Sequence, residues 1–315
     1  MKRIWLAIMF MAMSGIASYS QDRDLTVSEI MKIHPGNTIY EGIYRYTPPM
    51  FRHCRLDKPE TLDQGHLKVT YEASIIVDTM STTRYKDRMV VLIGDEWYCS
   101  YGEGIRKMNM WYSLPLDCPE EEEDKYELEE GYEEIIPWAV YRNLKEKKII
   151  NHSQIPEMKE IFFRYDEPLP KFQWKLGSET REIKGYQCQR AETSYAGREW
   201  TVWFAPEIPA DCGLWKFSGL PGLILEARDS KDEYVFTLGG IEQIREPIYI
   251  YKTREKKMDR EAFRKTERNL YEHPILYSQG AEGYLMFIDT QRHLTGKEVF
   301  TIDNFVYPYN PIELE

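Results

Sequence analysis

The sequence predicts a mainly β protein: a large curved antiparallel sheet, or a half-open barrel or sandwich, with one or two helices packed on it. Residues 67–78 alternate between apolar and polar side chains, which is the period of a strand with one buried face. Two-residue turn signals at Gly94-Asp95 and Ala196-Gly197 connect neighbouring strands directly. Helical crossovers between strands are not indicated, so neighbouring strands are expected to be antiparallel.

Further strands are predicted along the chain, at residues 88–93, 96–101, 138–144, 160–165, 181–193, 198–205, 223–229 and 233–238. Gly185 interrupts one of them and is expected to mark a bulge. One segment has a helical period instead, because Asp259 can cap a helix that runs to about Glu272 and is stopped by Pro274. Its narrow apolar face favours a solvated helix lying on the sheet, with a membrane- or partner-binding helix as the alternative.

The first 20 residues are typical of a secretory signal peptide. Two basic residues precede a short apolar run, and Ser18 and Ser20 occupy the −3 and −1 positions of a cut before Gln21. We therefore expect residues 21–315 to form a single β-rich domain of a periplasmic or secreted protein. The remaining apolar runs are too short to span a bilayer, so no integral membrane segment is expected after signal removal.

The chain is acidic, with a formal net charge of −11 over 315 residues. A negative surface repels phosphate backbones, so a nucleic-acid partner is not expected. Ten carboxylates lie between Glu120 and Glu134, within an acidic loop near residues 119–134. A calcium site and a docking tail are the functional interpretations of this loop. A solvated, self-repelling loop is favoured, because the regular spacing of a calcium loop is missing.

The cysteine pattern allows disulfides but does not indicate a metal site. The five cysteines are Cys54, Cys99, Cys118, Cys188 and Cys212. An exported chain meets an oxidising compartment, and an odd number leaves at least one thiol unpaired. Cys188 and Cys212 are expected in one compact region, either bridged or with Cys188 as a buried thiol. No Cys-x-x-Cys pair is present, so zinc is not indicated and no cofactor is expected.

The most informative segment is the hexapeptide formed by Gly219, Leu220, Pro221, Gly222, Leu223 and Ile224. It carries no acid, base or nucleophile. Residues 220–223 fit a type II turn, with proline at the second position and glycine at positive φ in the third. The favoured interpretation is a corner where a curved sheet bends over its core. The alternative is a gate, in which Trp200, Trp203, Trp215 and Phe217 form the rim of a cavity.

Three segments around this hexapeptide carry a resemblance to a known family: IKGYQCQRA at residues 183–191, AGREWTVWFAPEIP at 196–209 and GLWKFSGLPGLILEARD at 213–229. They resemble the GLPGLI family, which occurs in exported proteins of Bacteroidetes, and the similarity extends over residues 89–272. Leu214 departs from the family's pattern, which often has proline there. The resemblance implies an exported β-rich protein and no catalytic residues, since the family has no established activity.

Three functions remain open. A non-enzymatic periplasmic binding or carrier module for an amphiphilic or peptide ligand is favoured, because the chain is β-rich, aromatic and without catalytic signatures. An accessory protein could instead dock on an outer-membrane partner through a sheet edge or the acidic loop. A hydrolase would need a carboxylate pair, for which Glu199, Glu207, Glu226 and Asp229 are the candidates. The lone residues His152 and His293 are expected to be satisfied or at the surface.

Overall fold

The computed structural model describes residues 59–79, 81–114, 118–154, 161–211, 213–252, 255–272 and 309–315. The signal-peptide prediction falls outside these residues, as do the predictions for Cys54, Cys212 and His293. The chain divides into two compact units, Met1–Pro48 with Asn269–Tyr307 and Pro49–Arg268 with Pro308–Glu315. The sheet belongs to the second unit.

Twelve strands form one open mixed sheet, which confirms the mainly β prediction. They are β1 Glu60–Ile75, β2 Tyr85–Gly94, β3 Trp97–Gly102, β4 Trp138–Asn143, β5 Lys148–Gln154, β6 Phe162–Pro168, β7 Lys175–Ile183, β8 Tyr186–Tyr195, β9 Arg198–Ala205, β10 Leu223–Asp229, β11 Tyr234–Ile250 and β12 Glu255–Lys257. The spatial order is β12-β6-β5-β4-β3-β2-β1-β11-β10-β9-β8-β7. Only the β12–β6 pair in this sheet is parallel; the other neighbours are antiparallel, as expected.

The helices are α1 Glu103–Tyr112, the short α2 Glu120–Glu123 and α3 Arg260–Glu272, with a 3-10 turn at Asp124–Tyr126. The predicted cap of α3 is present, because the Ala262 N–H donates to Asp259 Oδ1 at 2.7 Å. Within the described ranges, every helix is too short or too polar to cross a bilayer.

The acidic segment is more ordered than a self-repelling loop. It contains α2 and the 3-10 turn, and its second half is attached to β2. Arg88 donates to both carboxylate oxygens of Glu129, at 2.7 and 2.6 Å. The Glu133 N–H donates to the Lys86 carbonyl at 2.7 Å. A bidentate pair and a ladder-like bond therefore hold part of this segment despite its like charges.

Two tight turns connect β7, β8 and β9. Lys184 and Gly185 have φ of 49° and 88°, and Ala196 and Gly197 have φ of 52° and 75°. Positive φ at both central residues is the type I′ hairpin geometry. The turn at Ala196-Gly197 is thereby confirmed, but the bulge predicted at Gly185 is wrong. The chain reverses there, so the predicted strand 181–193 is the end of β7 and most of β8.

Part of the sheet is buried on both faces, whereas most of β7 is exposed. The larger cluster contains Val69, Tyr71, Met89, Val91, Trp200, Val202, Phe204, Leu225 and Phe236, together with Leu214, Trp215 and Phe217 from the loop 206–222. The smaller cluster lies on the other face and contains Val90, Leu92, Cys99, Tyr141, Ile150, Ile248 and Ile250. Consecutive β2 residues alternate between the two clusters, so this strand is covered on both sides.

The sheet is curved around Trp215. Trp138 in β4 and Trp200 in β9 are separated by six steps across the strand order, which in a flat sheet would span about 29 Å. The Trp215 ring centroid is 6.4 Å from that of Trp138 and 5.6 Å from that of Trp200. The two rings on the sheet are therefore at most about 12 Å apart, the sum of these distances, which only a strongly curved sheet allows.

Candidate functional site

The hexapeptide makes a tighter turn than predicted. The Gly222 N–H donates to the Leu220 carbonyl at 2.9 Å, which closes a three-residue γ-turn centred on Pro221. The Leu223 N–H donates instead to the Ile208 carbonyl at 3.1 Å. The prediction of a type II turn over residues 220–223 is therefore wrong: Gly222 has a φ of 157°, far from the value that turn requires.

The two glycines of the hexapeptide have different roles. A Cβ on Gly222 would lie 2.2 Å from the Ala205 carbonyl oxygen, so the backbones approach too closely for any side chain. Gly219 has a φ of 85°, but a Cβ there would meet only the edge of the Trp174 ring at 3.9 Å. Gly222 is thus required by packing against β9, and Gly219 by its left-handed backbone.

The four aromatic residues considered for a cavity rim lie mostly in the core. Trp200, Trp215 and Phe217 are buried, and the Phe217 ring is 5.1 Å from Trp200 and 5.2 Å from Trp215. Trp203 is partly exposed and stacks under Arg181, whose guanidinium carbon is 4.1 Å from the ring centroid. Three of the four thus fill the curved sheet with the chain's own side chains.

The backbone is strained at Trp215, directly after Leu214. Trp215 has a φ of 57°, an uncommon conformation for a bulky residue. Its N–H donates to the Ser100 Oγ at 2.9 Å, and its ring is enclosed by the core. These contacts hold the strained backbone in place.

Lys216 is the basic residue of the loop 206–222, and its side chain is completely buried. Its Nζ lies 2.5 Å from Glu167 Oε1 and donates to the Tyr165 hydroxyl at 3.3 Å; it also contacts Glu313. Burial alone would raise the pKa of Glu313, but Lys216 and Arg260 outweigh it and hold that pKa below its usual value. Lys216 is therefore a fully paired cation that fastens residues 309–315 to the sheet.

Arg198 also attaches residues 309–315 to the sheet. Its guanidinium pairs with Asp229 at 2.8 Å and Glu233 at 2.7 Å, and it donates to the Asn310 side chain and to the Pro311 and Ile312 carbonyls. Every hydrogen bond that a guanidinium can make is used in this arrangement. Arg198 therefore has a structural role.

The four carboxylates considered for hydrolysis have separate partners. Glu226 pairs with Arg181 at 2.6 Å, and Asp229 is the partner of Arg198. Glu199 accepts from the Ser194 hydroxyl at 2.7 Å, and Glu207 accepts from the Gln187 N–H at 3.0 Å. These separate ion pairs and hydrogen bonds do not support a catalytic pair.

A different site lies on the opposite face of the sheet, where α1 begins directly after β3. Arg106 lies one turn into α1, is partly exposed, and covers the rings of Tyr101 and Tyr249 at 3.9 and 4.4 Å from their centroids. Its Nη2 is 3.4 Å from the Tyr141 hydroxyl and 3.9 Å from Cys99 Sγ. Among the described residues, no Asp or Glu oxygen lies within 4 Å of this guanidinium.

The groups around Arg106 are neutral near pH 7. Burial raises the pKa of the Cys99 thiol to about 11, although Arg106 partly opposes the shift. Burial likewise raises the pKa of the Tyr101 and Tyr141 hydroxyls above their usual range. A positive charge is therefore surrounded by neutral acceptors and aromatic rings, without a counter-charge in the described part of the site.

His152 extends this site along β5. Its side chain is 4% exposed and stacks on Phe162, with ring centroids 4.5 Å apart. Burial, followed by the charges of Arg106 and Arg164, lowers the pKa of His152 to about 3. The imidazole is neutral, and its Nε2 has no hydrogen-bond partner; Glu255 Oε1 lies 3.9 Å away, beyond hydrogen-bond range.

Polar contacts fix α1 over this part of the sheet. Asn109 and Gln154 exchange two buried side-chain hydrogen bonds, at 2.7 and 3.1 Å. The Tyr251 hydroxyl donates to Met110 Sδ at 3.1 Å. We call the group of Tyr101, Arg106, Met110, Tyr141, His152 and Tyr249 the Arg106 site. It has one positive charge, aromatic walls and one unpartnered nitrogen, which suits it to bind an anion.

The Arg106 site was not predicted from the sequence. His152 was expected to be satisfied or exposed, but its side chain is buried and its Nε2 is unpartnered, so this expectation is wrong. A signal was present, because Ile150, His152 and Gln154 share one face of β5 with the apolar cluster. The sequence around Arg106 does not indicate a binding site, because a single arginine in a polar helix is ordinarily solvated.

Sequence comparison gives a partial match to one family. The model of the N-glycanase peptide, N-terminal domain, matches residues 132–264. This range includes β4 to β12 and the hexapeptide, but not Arg106. No curated protein sequence matches the chain.

Structural comparison finds distant neighbours. Two crystal forms of PNGF-II each align with a TM-score of 0.45 and 13% identity, over 66% of this chain. The chain spans about a third of the length of those structures, 34%. A LolA superfamily protein from Nitrosomonas europaea aligns with a TM-score of 0.24 and 10% identity, over 66% of this chain and 94% of its own.

Proposed function

We propose that this chain is an exported, non-enzymatic binding module of the GLPGLI type that holds an anionic ligand at the Arg106 site. The observation that carries the proposal is the partly exposed Arg106 guanidinium, which lies over two tyrosine rings without a carboxylate in the described residues. An unpaired charge in a partly desolvated position costs free energy. A bound anion would offset this cost.

The contrast with the other partly or fully buried cations supports this proposal. Lys216 has two carboxylates, and Arg198 has two carboxylates and further oxygen acceptors. Arg164 pairs with Asp166 at 2.6 Å and with Glu255 at 3.4 Å. These three cations have acidic partners, and the buried Arg142 donates to the Asp211 and Phe217 carbonyls at 2.7 and 2.8 Å. Arg106 has neither a carboxylate nor a carbonyl acceptor among the described residues.

The chemistry of the site favours binding over catalysis. His152 remains neutral down to about pH 3, and Cys99 remains a thiol up to about pH 11. Neither group changes its charge near pH 7, as a general acid or base must. The four acidic residues considered for hydrolysis have other partners in ion pairs and hydrogen bonds, as described above.

The position of the site also changes where the carrier hypothesis puts the ligand on the sheet. Trp215 and Phe217 occupy the inside of the curved sheet, which supports a ligand site on the other face, against α1. The contacts there combine one cation with aromatic and thioether surfaces. This combination fits an amphiphilic ligand with a negative head group.

Native mass spectrometry of the protein purified from its own cell envelope tests the proposed function. The wild-type protein should carry a small anion that is absent from Arg106→Gln. Arg190→Gln is the matched control, because Arg190 is a surface residue already paired with Glu179 and Glu192. An extract of the denatured wild-type protein that contains no small anion, or an anion retained by Arg106→Gln, would contradict the proposal.

A further inference from the structure

The charge and lining of the Arg106 site indicate the chemical class of its ligand. We infer that the site binds a small amphipathic monocarboxylate, an inference that rests on the proposed function. The carboxylate of this ligand binds the edge of the Arg106 guanidinium, and its apolar part packs against α1 and the neighbouring tyrosines. A second polar group of this ligand forms a hydrogen bond with His152 Nε2.

The charge balance favours a monoanion. Arg106 supplies one positive charge, while Tyr101, Tyr141, Cys99 and His152 are neutral at pH 7. A carboxylate brings one negative charge and leaves the site neutral. A phosphate near pH 7 brings almost two, and the excess would lie in a partly desolvated site without a second cation in contact.

The geometry favours a planar acceptor. The rings of Tyr101 and Tyr249 cover the faces of the guanidinium, so its N–H groups are available at the edge. Two parallel N–H groups on that edge match the two oxygens of a carboxylate. The present acceptors are weak substitutes, since the Tyr141 hydroxyl is 3.4 Å from Nη2 and Cys99 Sγ is 3.9 Å away.

The lining favours an apolar group attached to the carboxylate. Tyr101, Met110 and Tyr249 surround the guanidinium end of the site and are each partly exposed. The Met110 thioether, which already contacts the Tyr251 hydroxyl, adapts to irregular apolar shapes. A hydrocarbon or aromatic ring on the ligand would cover these side chains and remove them from water.

His152 provides a second point of recognition. Its Nε2 is buried and unpartnered, although the ring is held by Phe162 on one face and by the edge of Tyr141. A buried polar nitrogen without a partner is uncommon and costly in a folded protein. A hydroxyl or amide on the ligand would supply the missing hydrogen bond.

Calorimetric titration of the full mature chain, freed of bound material by dialysis, tests the inference with three matched probes. They are 3-phenylpropionate, its neutral isostere 3-phenylpropanamide, and 2-phenylethylphosphonate. We expect saturable binding of the carboxylate, at least tenfold weaker binding of the amide, and weaker binding of the phosphonate. Arg106→Gln should weaken carboxylate binding at least tenfold, and Arg106→Lys by a smaller factor, because lysine keeps the charge but not the planar edge.

The melting temperature of the unliganded variants separates a ligand-binding role from a structural one. If Arg106 serves the ligand, Arg106→Gln melts at or above the wild-type temperature, since a charge without a partner is removed. A large loss of thermal stability in Arg106→Gln would overturn the inference. Arg190→Gln should bind the carboxylate as the wild type does.

The measurements distinguish failure of the inferred ligand class from failure of the proposed binding function. Tighter binding of the phosphonate than of the carboxylate, or no binding of any probe, overturns the ligand class. If native mass spectrometry still shows an anion that depends on Arg106, the proposed binding function survives that result. If it shows none, the proposed function fails as well.

Discussion

Lys216 and Glu313 form an ion pair with almost no exposure to water, although they belong to segments far apart in the chain. The lysine side chain is 0% exposed and the glutamate 5%. Glu167 completes the surroundings of the ammonium, and Arg260 donates to the other oxygen of Glu313 at 2.7 Å. The loop that carries the hexapeptide is thereby joined to residues 309–315.

Breaking this pair should strongly destabilise the protein. Lys216→Met leaves the buried Glu313 and the partly buried Glu167 with less compensating charge, so we expect the free energy of unfolding to fall by about 3–5 kcal/mol. Urea denaturation measures the change. The control is Lys231→Met, because Lys231 is exposed and its Nζ is 4.0 Å from Glu233; we expect a change of at most about 0.5 kcal/mol there. Equal stability of the two variants would refute a buried-pair role for Lys216.

The two glycines of the hexapeptide should tolerate alanine to different degrees. Gly222→Ala places a Cβ against the Ala205 carbonyl oxygen, so the strands must shift, and we expect a loss of more than about 2 kcal/mol. In Gly219→Ala the new Cβ causes no steric clash, so we expect only the cost of the left-handed backbone, a loss of about 1–2 kcal/mol in the free energy of unfolding. Thermal melts of both variants check the order, and a larger loss for Gly219→Ala would contradict the close approach to β9.

Acid should destabilise the protein through His152. Its folded pKa, about 3, lies below the ordinary 6.5, because burial and the charges of Arg106 and Arg164 disfavour the imidazolium. The unfolded chain therefore binds a proton between these pH values that the folded protein does not bind. The stabilisation is present above pH 6.5 and is lost as the pH falls toward 3, by up to about 3–5 kcal/mol.

The measurement for His152 is the free energy of unfolding at pH 7.5, 5.5 and 4. His152→Phe keeps a ring that stacks on Phe162 and removes the titrating group. We expect the wild-type stability to fall more steeply than that of the variant between pH 6.5 and 4, since titrating carboxylates affect both proteins alike. Parallel curves would show that His152 does not titrate abnormally.

Export is tested by the mature N-terminus. The small residues Ser18 and Ser20 predict that protein taken from the cell envelope begins at or near Gln21. N-terminal sequencing gives the answer directly. A chain that still begins at Met1 in the envelope fraction would exclude the predicted cleavage.

The sequence predicted those strands whose side chains follow the two-residue period. Residues 198–205 and 223–229 were expected as strands and are β9 and β10. β5 was missed because Asn151, His152, Ser153 and Gln154 are polar yet buried, so hydrophobicity gives no alternation there. Gly185 was misread because a glycine within a strand pattern fits a bulge or a hairpin turn, and only the φ of Lys184 distinguishes them.

The Arg106 site could not be predicted because its residues meet only through the order of the strands. Tyr101, Tyr141 and His152 come from β3, β4 and β5, which are neighbours in the sheet, whereas Tyr249 comes from β11. The sequence contains no motif that joins them. That Arg106 has no acidic partner among the described residues depends on which side chains surround it in the fold, and no local sequence pattern predicts this.

The attachment of residues 309–315 has a consequence for how the protein folds. Asn310 accepts a hydrogen bond from Arg198, 112 positions earlier, and its side-chain amide donates to the Ile76 carbonyl, 234 positions earlier. Closing such long loops is entropically costly, and chains dominated by distant contacts fold slowly. The sheet is therefore expected to complete its folding only after residues 309–315 have joined it.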